Sequence, residues 1–386
     1  MIGVISDDLT GAAELGAVGL RYGLVAEIVV GESAIGATDL VCVDTNSRSV
    51  SREEAARRTA AAGRQLKAAG VQWVYKKVDS VLRGHVVAEI EALMREYRVD
   101  RALIVPANPL LGRIVRDGRY YVRGKLIHET EFASDPEHPR KTSSVLDLLG
   151  RSDSFSVSLA RLSETLAPKN IVLGEAASPA DLQRWAARHD PDILAAGGAE
   201  YFAALLAAKG HKAARALANG AAAATHVPEL FICGSASTST CDFAAEAKKS
   251  GTPVFSLPAE LGRREFSRES LEAHADQVRS GLRRAGRAII NIGLPVTSDK
   301  GRAAGLLARL GELAECIVRT GEVAHIYAEG GSTAAELVSR MQWKRLKVLR
   351  EEARGVVTLA PEGEKPLLLT MKPGSYIWPG AIKGVR

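Results

Sequence analysis

The sequence predicts an α/β protein of two domains, each built on a mostly parallel sheet flanked by helices. Short apolar runs alternate with segments of helical pattern along most of the 386 residues, and this alternation is typical of parallel sheets covered on both faces. A chain of this length exceeds one ordinary core, so two domains are expected. An alanine-rich stretch near the middle, followed by a new apolar run, indicates where they separate.

The first half alternates strands and helices in order. MIGVIS predicts a strand, and a helical pattern follows from about Gly11 to Tyr22. VAEIVV and DLVCVDTNSR predict the next strands, and SREEAARRTAAAGRQLKAAG has the serine, early acids and terminal glycine of a helix. VQWVYKKVDS and RALIVPANP predict further strands, separated by a helix over VVAEIEALMREYR. The pattern from Pro106 to Pro139 is irregular, and long segments of this kind are usually functional or disordered.

We expect residues 1–212 to form the first domain and residues 226–386 the second, with the alanine-rich linker over about 213–225. The second half starts again with the strand LFICGS. Strands are also predicted over PVFSL, RAIINIG and AHIYAEG, and helices over CDFAAEAKKSG and SLEAHADQVRSGLRRAG.

Composition and charge exclude several classes of protein. The formal net charge is +6, but the basic stretches WKRLKVLR and GRREFSR carry a single aromatic each, so solvated surfaces are expected rather than nucleic-acid binding. No apolar run has the length of a membrane span. The four cysteines show no paired spacing, which favours buried thiols in a reducing cytoplasm. A mildly basic enzyme of this kind can attract anionic small molecules.

Two adjacent acids, Asp7 and Asp8, follow the first predicted strand, and Thr10 comes just after them. In α/β folds, ligands bind beyond the carboxyl ends of the strands. One of these side chains can cap the following helix, but a cap explains one acid rather than two. An adjacent pair suits a general base that takes a proton from a hydroxyl, or a group that holds magnesium. The pattern leaves both roles open.

Two further polar stretches follow predicted strands. YKKVDSVLRG contains Lys76, Asp79, Ser80 and Arg83, and VPANPLLGR ends at Arg113. A guanidinium can bind a carboxylate bidentately, and Asp and Ser side chains can hydrogen-bond sugar hydroxyls. The plainer interpretation is a capped turn and a surface loop with solvated arginines. Because parallel strands end at one edge of a sheet, we expect the three stretches to form a shared small-molecule site.

Three turns in the second half indicate phosphate binding, since glycines let the backbone approach an anion and a helix start offers free N–H groups. The turns contain Ser235 in ICGSASTST, Gly330, Gly331, Ser332 and Thr333 in YAEGGSTAAELVSRM, and Gly374 in LTMKPGSY. Neither GxxxxGK[ST] nor GxGxxG occurs, which disfavours P-loop NTPases and common dinucleotide-binding folds.

Taken together, these stretches resemble the four-carbon acid sugar kinase family. The matching stretches in the first half are SDDLTGA (6–12), YKKVDSVLRG (75–84), PANPLLGR (106–113) and HETEFASDPEHP (128–139). CGSASTST, EGGSTAAELV and MKPGSY follow in the family's order, so the resemblance spans nearly the whole chain.

The resemblance implies a sugar-acid-binding N-terminal domain, a nucleotide-binding C-terminal domain and an active site in the cleft between them. It implies ATP-dependent phosphorylation of a terminal hydroxyl on threonate, erythronate or 3-oxo-tetronate, with Mg²⁺ carried by the ATP phosphates. The expected partners are ATP and the acid, without nucleic acid or membrane, and a homodimer is the assembly considered. The motifs place Asp7, Asp8 and Thr10 near the acceptor hydroxyl, Lys76, Asp79, Ser80, Arg83 and Arg113 on the substrate, and Ser235, Gly330, Gly331, Ser332, Thr333 and Gly374 on the nucleotide.

Within this family, Asp8 is the first candidate for the base and Asp7 the second. Arg83, with Arg113 or Lys76, is expected to hold the substrate carboxylate. Other classes stay open: a non-catalytic sensor of sugar acids and nucleotides, a kinase of another small hydroxy acid, or a lyase or nicotinamide dehydrogenase acting on sugar acids. ATP turnover separates a kinase from a sensor, and a nicotinamide absorbance change separates a kinase from a dehydrogenase.

Overall fold

A computed structural model divides the chain into two compact units, Met1–Arg215 and Ala216–Arg386. The structure describes residues 1–135, 138–213, 227–234, 238–258, 267–293, 299–363, 366–374 and 376–383. Almost all of the predicted linker lies outside the described residues. The predicted domain bounds, 1–212 and 226–386, therefore stay predictions.

The strands of the first unit form one parallel sheet and one small antiparallel sheet. In chain order they are β1 (Ile2–Ser6), β2 (Ala26–Val30), β3 (Leu40–Asp44), β4 (Trp73–Lys77), β5 (Arg101–Val105), β6 (Arg113–Arg116), β7 (Arg119–Val122), β8 (Lys125–Leu126), β9 (Ser156–Ala160), β10 (Asn170–Gly174) and β11 (Ile193–Gly197). The parallel sheet has the order β2-β3-β1-β4-β11-β5-β10-β9.

Helices connect the parallel strands of this unit. They are α1 (Leu9–Arg21), α2 (Arg52–Ala68), α3 (Val86–Tyr97), α4 (Val145–Leu149), α5 (Pro179–Ala187) and α6 (Ala199–Ala208). The Ser51 side chain accepts a hydrogen bond from the Glu54 backbone N–H and caps α2, as the serine and early acids of that segment predict. The buried face of α3 packs with Ile, Leu and Val side chains of the strands in one core cluster.

The segment predicted to be irregular contains the small antiparallel sheet β6-β7-β8. Two short 3₁₀ turns follow β8, Ile127–Glu129 and Glu131–Ser134. The sequence pattern did not predict these strands, because each is only two to four residues long and is flanked by turn residues. This part of the chain therefore has an ordered framework that carries Arg113.

The second unit also has one sheet and its own helices. Its strands are β12 (Glu229–Cys233), β13 (Val254–Ser256), β14 (Arg287–Asn291), β15 (His325–Glu329), β16 (Arg345–Ala353), β17 (Val356–Pro361) and β18 (Leu368–Lys372). Its helices are α7 (Thr238–Lys249), α8 (Arg268–Ala285), α9 (Lys300–Val318), α10 (Gly331–Arg340) and α11 (Gly380–Lys383). The strand order is β13-β14-β12-β15-β18-β17-β16. It is parallel up to β18, and β17 pairs antiparallel with both of its neighbours.

Each sheet has a point where the chain leaves two neighbouring strands in opposite directions. In the first unit β1 and β4 are parallel neighbours, and the chain passes from β1 through α1 to β2 but from β4 through α3 to β5 on the other side. In the second unit β12 and β15 are parallel neighbours. The chain passes from β12 to β13 on one side of this pair and from β15 to β16 on the other side. Open α/β sheets bind ligands at such switch points.

The prediction that the cysteines are buried thiols is confirmed only in part. Cys42 and Cys233 are buried free thiols, whereas Cys241 is exposed and Cys316 is half-buried. Cys241 lies on α7, and the sequence pattern around it did not show which face of the helix points outwards. In the described part of the chain, no helix is long and apolar enough to cross a membrane.

Candidate active site

The acid pair lies at the switch point of the first unit, directly after β1. The Asp8 side chain accepts a hydrogen bond from the Gly11 backbone N–H at 2.8 Å and caps α1. Gly11 is required at this turn because a Cβ there would lie 2.4 Å from Ser6 Oγ. Thr10 is half-buried in the first turn of the helix. The cap predicted for one acid is therefore made by Asp8, and Asp7 has a different partner.

That partner is Arg48, which the sequence analysis did not select. Arg48 Nε lies 2.7 Å from Asp7 Oδ2, and Nη2 lies 3.0 Å from Asp7 Oδ1. Its third nitrogen, Nη1, lies 2.8 Å from Asp8 Oδ2. Arg48 follows β3, the parallel neighbour of β1, so its place after a strand end was the signal that could have identified it.

The two acids differ in their access to solvent. The Asp7 side chain is 3% exposed and the Asp8 side chain 22%. Burial acts to raise the pKa of Asp7, but the charges of Arg48 and Lys76 and the hydrogen bonds from Arg48 outweigh it and lower the pKa. Asp7 is thus a buried carboxylate whose charged form is favoured by Arg48 and Lys76, whereas Asp8 presents a carboxylate that a ligand can reach.

A third acid, Asp44, ends β3 in the same cluster. It is buried and accepts a hydrogen bond from the Asn46 backbone N–H at 2.9 Å. Burial, together with the nearby charges of Asp8 and Asp7, raises the pKa of Asp44 to about 7. The cluster therefore contains one carboxyl group that titrates near neutral pH.

The turn after β4 is organised by Asp79. Its Oδ2 accepts hydrogen bonds from the backbone N–H groups of Val81 and Arg83, both at 3.1 Å, and the Arg83 guanidinium adds two more at 3.0 and 2.9 Å. Burial acts to raise the pKa of Asp79, but Arg83 and Arg48 hold it well below its usual range. Leu82 has a positive φ of 62°, a strained conformation that surrounding contacts must maintain.

The two lysines of β4 are buried and paired with acids. Lys76 Nζ lies 2.9 Å from Glu89 Oε2, and Glu89 also accepts a hydrogen bond from the Ser47 hydroxyl. Lys77 Nζ lies 3.4 Å from Glu14 Oε2. Burial acts to lower the pKa of Lys77, but Glu14 and the other acids of the cluster raise it. The Lys76 side chain is only 1% exposed, so its ammonium group is enclosed by the protein and balanced by Glu89.

Arg113, at the start of β6, reaches the same turn. Its Nη1 donates a hydrogen bond to Ser80 Oγ, and its Cζ lies 5.5 Å from the centroid of the Phe132 ring. The Tyr120 hydroxyl donates to the Ser80 carbonyl. Over the described ranges, Arg113 has no ion pair with a carboxylate. By contrast, the Arg83 guanidinium is bound to Asp79 and also lies 3.1 Å from Asp135.

The switch point of the second unit brings Gly234, after β12, close to Thr333. A Cβ on Gly234 would lie 2.2 Å from Thr333 Oγ1, so only glycine fits there. Gly330 has a φ of 99°, and α10 begins at Gly331 without a side-chain cap. Ser332 is exposed in this first turn, whereas Thr333 is buried. The uncapped helix start leaves backbone N–H groups for an anionic ligand.

Lys372 and Glu329 support this turn from the ends of β18 and β15. Lys372 Nζ lies 2.9 Å from Glu329 Oε1, with both side chains at 1% exposure. The same glutamate oxygen accepts a hydrogen bond from Thr240 Oγ1 at 2.5 Å. Gly374 follows β18 as a half-buried turn residue. The predicted nucleotide residue Ser235 lies outside the described residues.

Among the residues that the structure describes, His, Cys, Asp and Glu form no group of three or more that could hold a metal ion. At the acid pair, the cationic partner of both carboxylates is the guanidinium of Arg48. The charge of the acid pair is thus balanced by an arginine of the chain itself.

A family model described as a sugar-binding N-terminal domain matches residues 2–240. A D-threonate kinase from Bordetella bronchiseptica is 31% identical over 376 residues, which cover 92% of this chain and 88% of that protein. The chain belongs to the four-carbon acid sugar kinase family. A 3-oxo-tetronate kinase from Methylobacterium radiotolerans, another similar protein, is 29% identical over 97% of this chain and 96% of its own length. The family predicted from the motifs is thereby confirmed.

Solved structures agree on the fold. A Haemophilus influenzae protein of the family called DUF1537 has a TM-score of 0.70 and 20% identity, covering 97% of this chain and 96% of that chain. A protein from Salmonella typhimurium LT2 has a TM-score of 0.79 and 22% identity, covering 100% and 98%. At these identities the two likenesses show the fold alone, and they confirm the predicted α/β class.

Proposed function

We propose that the protein is an ATP-dependent kinase that phosphorylates the terminal hydroxyl of a four-carbon sugar acid. The observation that carries the proposal is the charge cluster at the first switch point, where a solvent-accessible Asp8 lies beside an arginine-rich turn. The names of the relatives, D-threonate kinase and 3-oxo-tetronate kinase, support this substrate class.

Asp8 is the base in this proposal. Asp7 is a poor second candidate because both of its oxygens are bound to Arg48 and its side chain is almost fully buried. Asp8 takes the proton of the acceptor hydroxyl as the hydroxyl oxygen bonds to the terminal phosphorus of ATP. The bond from that phosphorus to the bridging oxygen breaks, and ADP leaves with the electron pair. Proton transfer of this kind contributes about 10²–10⁴-fold to the rate.

Arg113 is the residue that best suits the substrate carboxylate. Its guanidinium contacts a hydroxyl and an aromatic ring, so donors remain for a bidentate bond to an incoming carboxylate. Arg83 was expected to make that bond, but its charge is balanced by Asp79 and Asp135. We therefore assign Arg83 to holding the turn, together with Asp79 and Ser80, and Arg113 to binding the acid.

The uncapped start of α10 is the proposed phosphate-binding element. Gly331 and Ser332 begin the helix at the switch point of the second unit without a side-chain cap, and phosphate oxygens are the ligands that the free N–H groups of a helix start favour. The Gly330 N–H itself donates to the Lys372 carbonyl at 2.9 Å. Mg²⁺ bound to the ATP phosphates would neutralise charge that develops during transfer. Ser235 and Gly374 remain predicted contacts of the nucleotide, and the homodimer remains a predicted assembly.

The test is ADP release with ATP and Mg²⁺ over a panel of D- and L-threonate, D- and L-erythronate, 3-oxo-tetronates and glycerate. Wild-type protein is compared with Asp8→Asn and with Asp153→Asn, whose carboxylate is exposed and paired with Arg52. We expect turnover with one or more four-carbon acids, at least a hundredfold loss in Asp8→Asn, and wild-type rates in Asp153→Asn. Glycerate as the best substrate would indicate another small hydroxy acid, and ATP binding without any turnover would indicate a sensor.

A further inference from the structure

We propose that Arg48 and Asp7 act as a pair of positioning residues for Asp8. In this arrangement Asp7 fixes the plane of the Arg48 guanidinium, and Arg48 in turn holds the Asp8 carboxylate at the acceptor hydroxyl. Neither residue exchanges a proton with the substrate. The inference rests on the proposed kinase function and assigns a role to an arginine that the motifs did not include.

The donor geometry of Arg48 supports this division of roles. Two of its nitrogens bind the two oxygens of Asp7, at 2.7 and 3.0 Å, and the remaining nitrogen binds Asp8 Oδ2 at 2.8 Å. A guanidinium is planar, so a bidentate bond to one carboxylate fixes the direction of its remaining N–H groups. Lysine carries a single charged atom and cannot bind both carboxylates with this fixed geometry.

Asp8 is held at both oxygens while staying accessible. Its Oδ1 accepts the Gly11 backbone N–H at 2.8 Å, and its Oδ2 faces Arg48. Each oxygen of an ionised carboxylate has a second lone pair, so a substrate hydroxyl can still donate to Asp8. Asp7 has no such access, because its side chain is only 3% exposed.

The segment that carries Arg48 is itself anchored to the end of β1. The backbone N–H groups of Ser47 and Arg48 donate to the Asp7 carbonyl at 2.9 and 3.3 Å. The Thr45 side chain donates to the Ser6 carbonyl at 2.9 Å. The Arg48 side chain is therefore fixed at its base as well as at its tip, as a positioning residue requires.

The positive charge of Arg48 also balances the charge of the two acids. Two adjacent carboxylates alone would repel the anionic phosphate that must approach the hydroxyl, and Arg48 offsets one of these charges. Other charged groups also face the acid pair, so the pH response belongs to the whole cluster. These groups are Glu14 on α1, Asp44 on β3, Lys76 and Lys77 on β4, Asp79 and Arg83 in the turn after β4, and Glu89 on α3.

The experiment compares steady-state kinetics of wild type, Arg48→Lys, Arg48→Gln, Asp7→Asn and the double variant Asp7→Asn/Arg48→Gln. Arg52→Gln is the matched control, since Arg52 is an exposed arginine nearby in sequence that pairs with Asp153. We expect kcat to fall about tenfold in Arg48→Lys and about a hundredfold in Arg48→Gln, with the KM for ATP within twofold of wild type. The double variant should be no slower than the slower single variant, because the two residues act as one unit.

The pH profile separates positioning from a general structural role. In Arg48→Gln, the acid-side limb of the plot of kcat against pH should shift to higher pH by about one unit. The reason is that the variant removes the positive charge that favours the ionised form of the acid pair. An unchanged limb, or a raised KM for the acid with kcat unchanged, would overturn the proposal. Loss in Asp7→Asn as complete as in Asp8→Asn, with Arg48→Gln active, would make Asp7 the base and also overturn it.

A second measurement does not depend on turnover. The Gly11 amide is protected by its bond to Asp8 Oδ1, so its hydrogen exchange reports whether Asp8 keeps its place. Faster exchange at Gly11 in Arg48→Gln, with exchange in α2 and α3 unchanged, would support the proposal. Unchanged exchange at Gly11 would overturn the positioning role of Arg48. This measurement needs no turnover, so its result is distinct from a lack of kinase activity in the wild-type protein, which would contradict the proposed function instead.

Discussion

Arg83 donates hydrogen bonds to both carboxylate oxygens of Asp79, at 3.0 and 2.9 Å, within the turn that follows β4. The guanidinium also lies 3.1 Å from Asp135. An arginine with two carboxylate partners is already neutralised, so a substrate carboxylate would have to displace one of them. Arg113, which contacts the same turn through Ser80, is therefore the better candidate for binding the substrate carboxylate.

Replacing Arg113 by glutamine should weaken binding of the acid. A charge-assisted hydrogen bond is worth about 1.5–3 kcal/mol, so we expect the KM for the acid to rise by roughly ten- to a hundredfold. The KM for ATP should change by less than twofold. Steady-state kinetics with each substrate varied in turn measures both constants.

Arg116→Gln is the control for that variant. Arg116 lies on the same short strand, β6, but its side chain is exposed and lies over the Tyr121 ring. It should keep the wild-type KM for the acid. Equal losses in both variants would indicate a general effect of positive charge on this small sheet and would contradict a specific role for Arg113.

Replacing Asp79 by asparagine should destabilise the protein in a pH-dependent way. The pKa of Asp79 is held below its ordinary value in the folded state, so its stabilising contribution is complete above about pH 4 and is lost as the pH falls through the folded value. Breaking such a buried pair costs about 3–5 kcal/mol. Urea unfolding at pH 7 and pH 3 should show a large difference from wild type at pH 7 and a smaller one at pH 3.

Asp153→Asn serves as the exposed control for the same titration, with little change expected at either pH. A difference between wild type and Asp79→Asn that is as large at pH 3 as at pH 7 would show that the carboxylate charge is not what stabilises the turn.

Replacing Asp44 by asparagine should stabilise the protein at high pH, in contrast to Asp79→Asn, which should destabilise it. Burial raises the pKa of Asp44 to about 7, so above that pH its charge destabilises the folded state, and the penalty disappears as the pH falls towards the ordinary value of about 4. Asparagine keeps an oxygen that can accept the Asn46 N–H. We expect the variant to be more stable than wild type at pH 8, by on the order of 2 kcal/mol, with the gain absent near pH 4. A variant less stable than wild type at pH 8 would contradict the prediction.

Gly330→Ala should weaken ATP binding. Gly330 has a φ of 99° and a ψ of 138°, a sparsely populated conformation that costs a residue with a Cβ about 1–3 kcal/mol, and the N–H groups proposed to bind phosphate follow directly. We expect the KM for ATP to rise about fivefold or more while the KM for the acid stays within twofold.

Gly321→Ala isolates the effect of position from that of backbone strain. Gly321 also has a positive φ, 75°, and a Cβ there would meet nothing within 4 Å. Both alanine variants should lose some stability, but only Gly330→Ala should alter the KM for ATP. If the two raise that KM equally, the turn before α10 is not the phosphate site.

The sequence alone determined much of this protein. Alternating apolar and helical segments predicted the α/β class, and the family followed from the order of SDDLTGA, YKKVDSVLRG and the later glycine turns. Asp7, Asp8, Asp79 and Arg113 were selected as site residues because they lie in polar stretches that follow predicted strands. These features are local, since each depends on residues adjacent in the chain, and local patterns can be read directly.

Only the tertiary structure decided how those residues pair. Asp7 and Asp8 are neighbours in the sequence, yet one is buried on Arg48 and the other stays accessible. Arg48 lies 41 positions from Asp7, and the parallel pairing of β1 with β3 brings them together. Strand order within a sheet arises from long-range packing, and no local pattern encodes it. For this reason the motifs identified the charges of the site, whereas the fold determined which charges neutralise one another and which remain for a ligand.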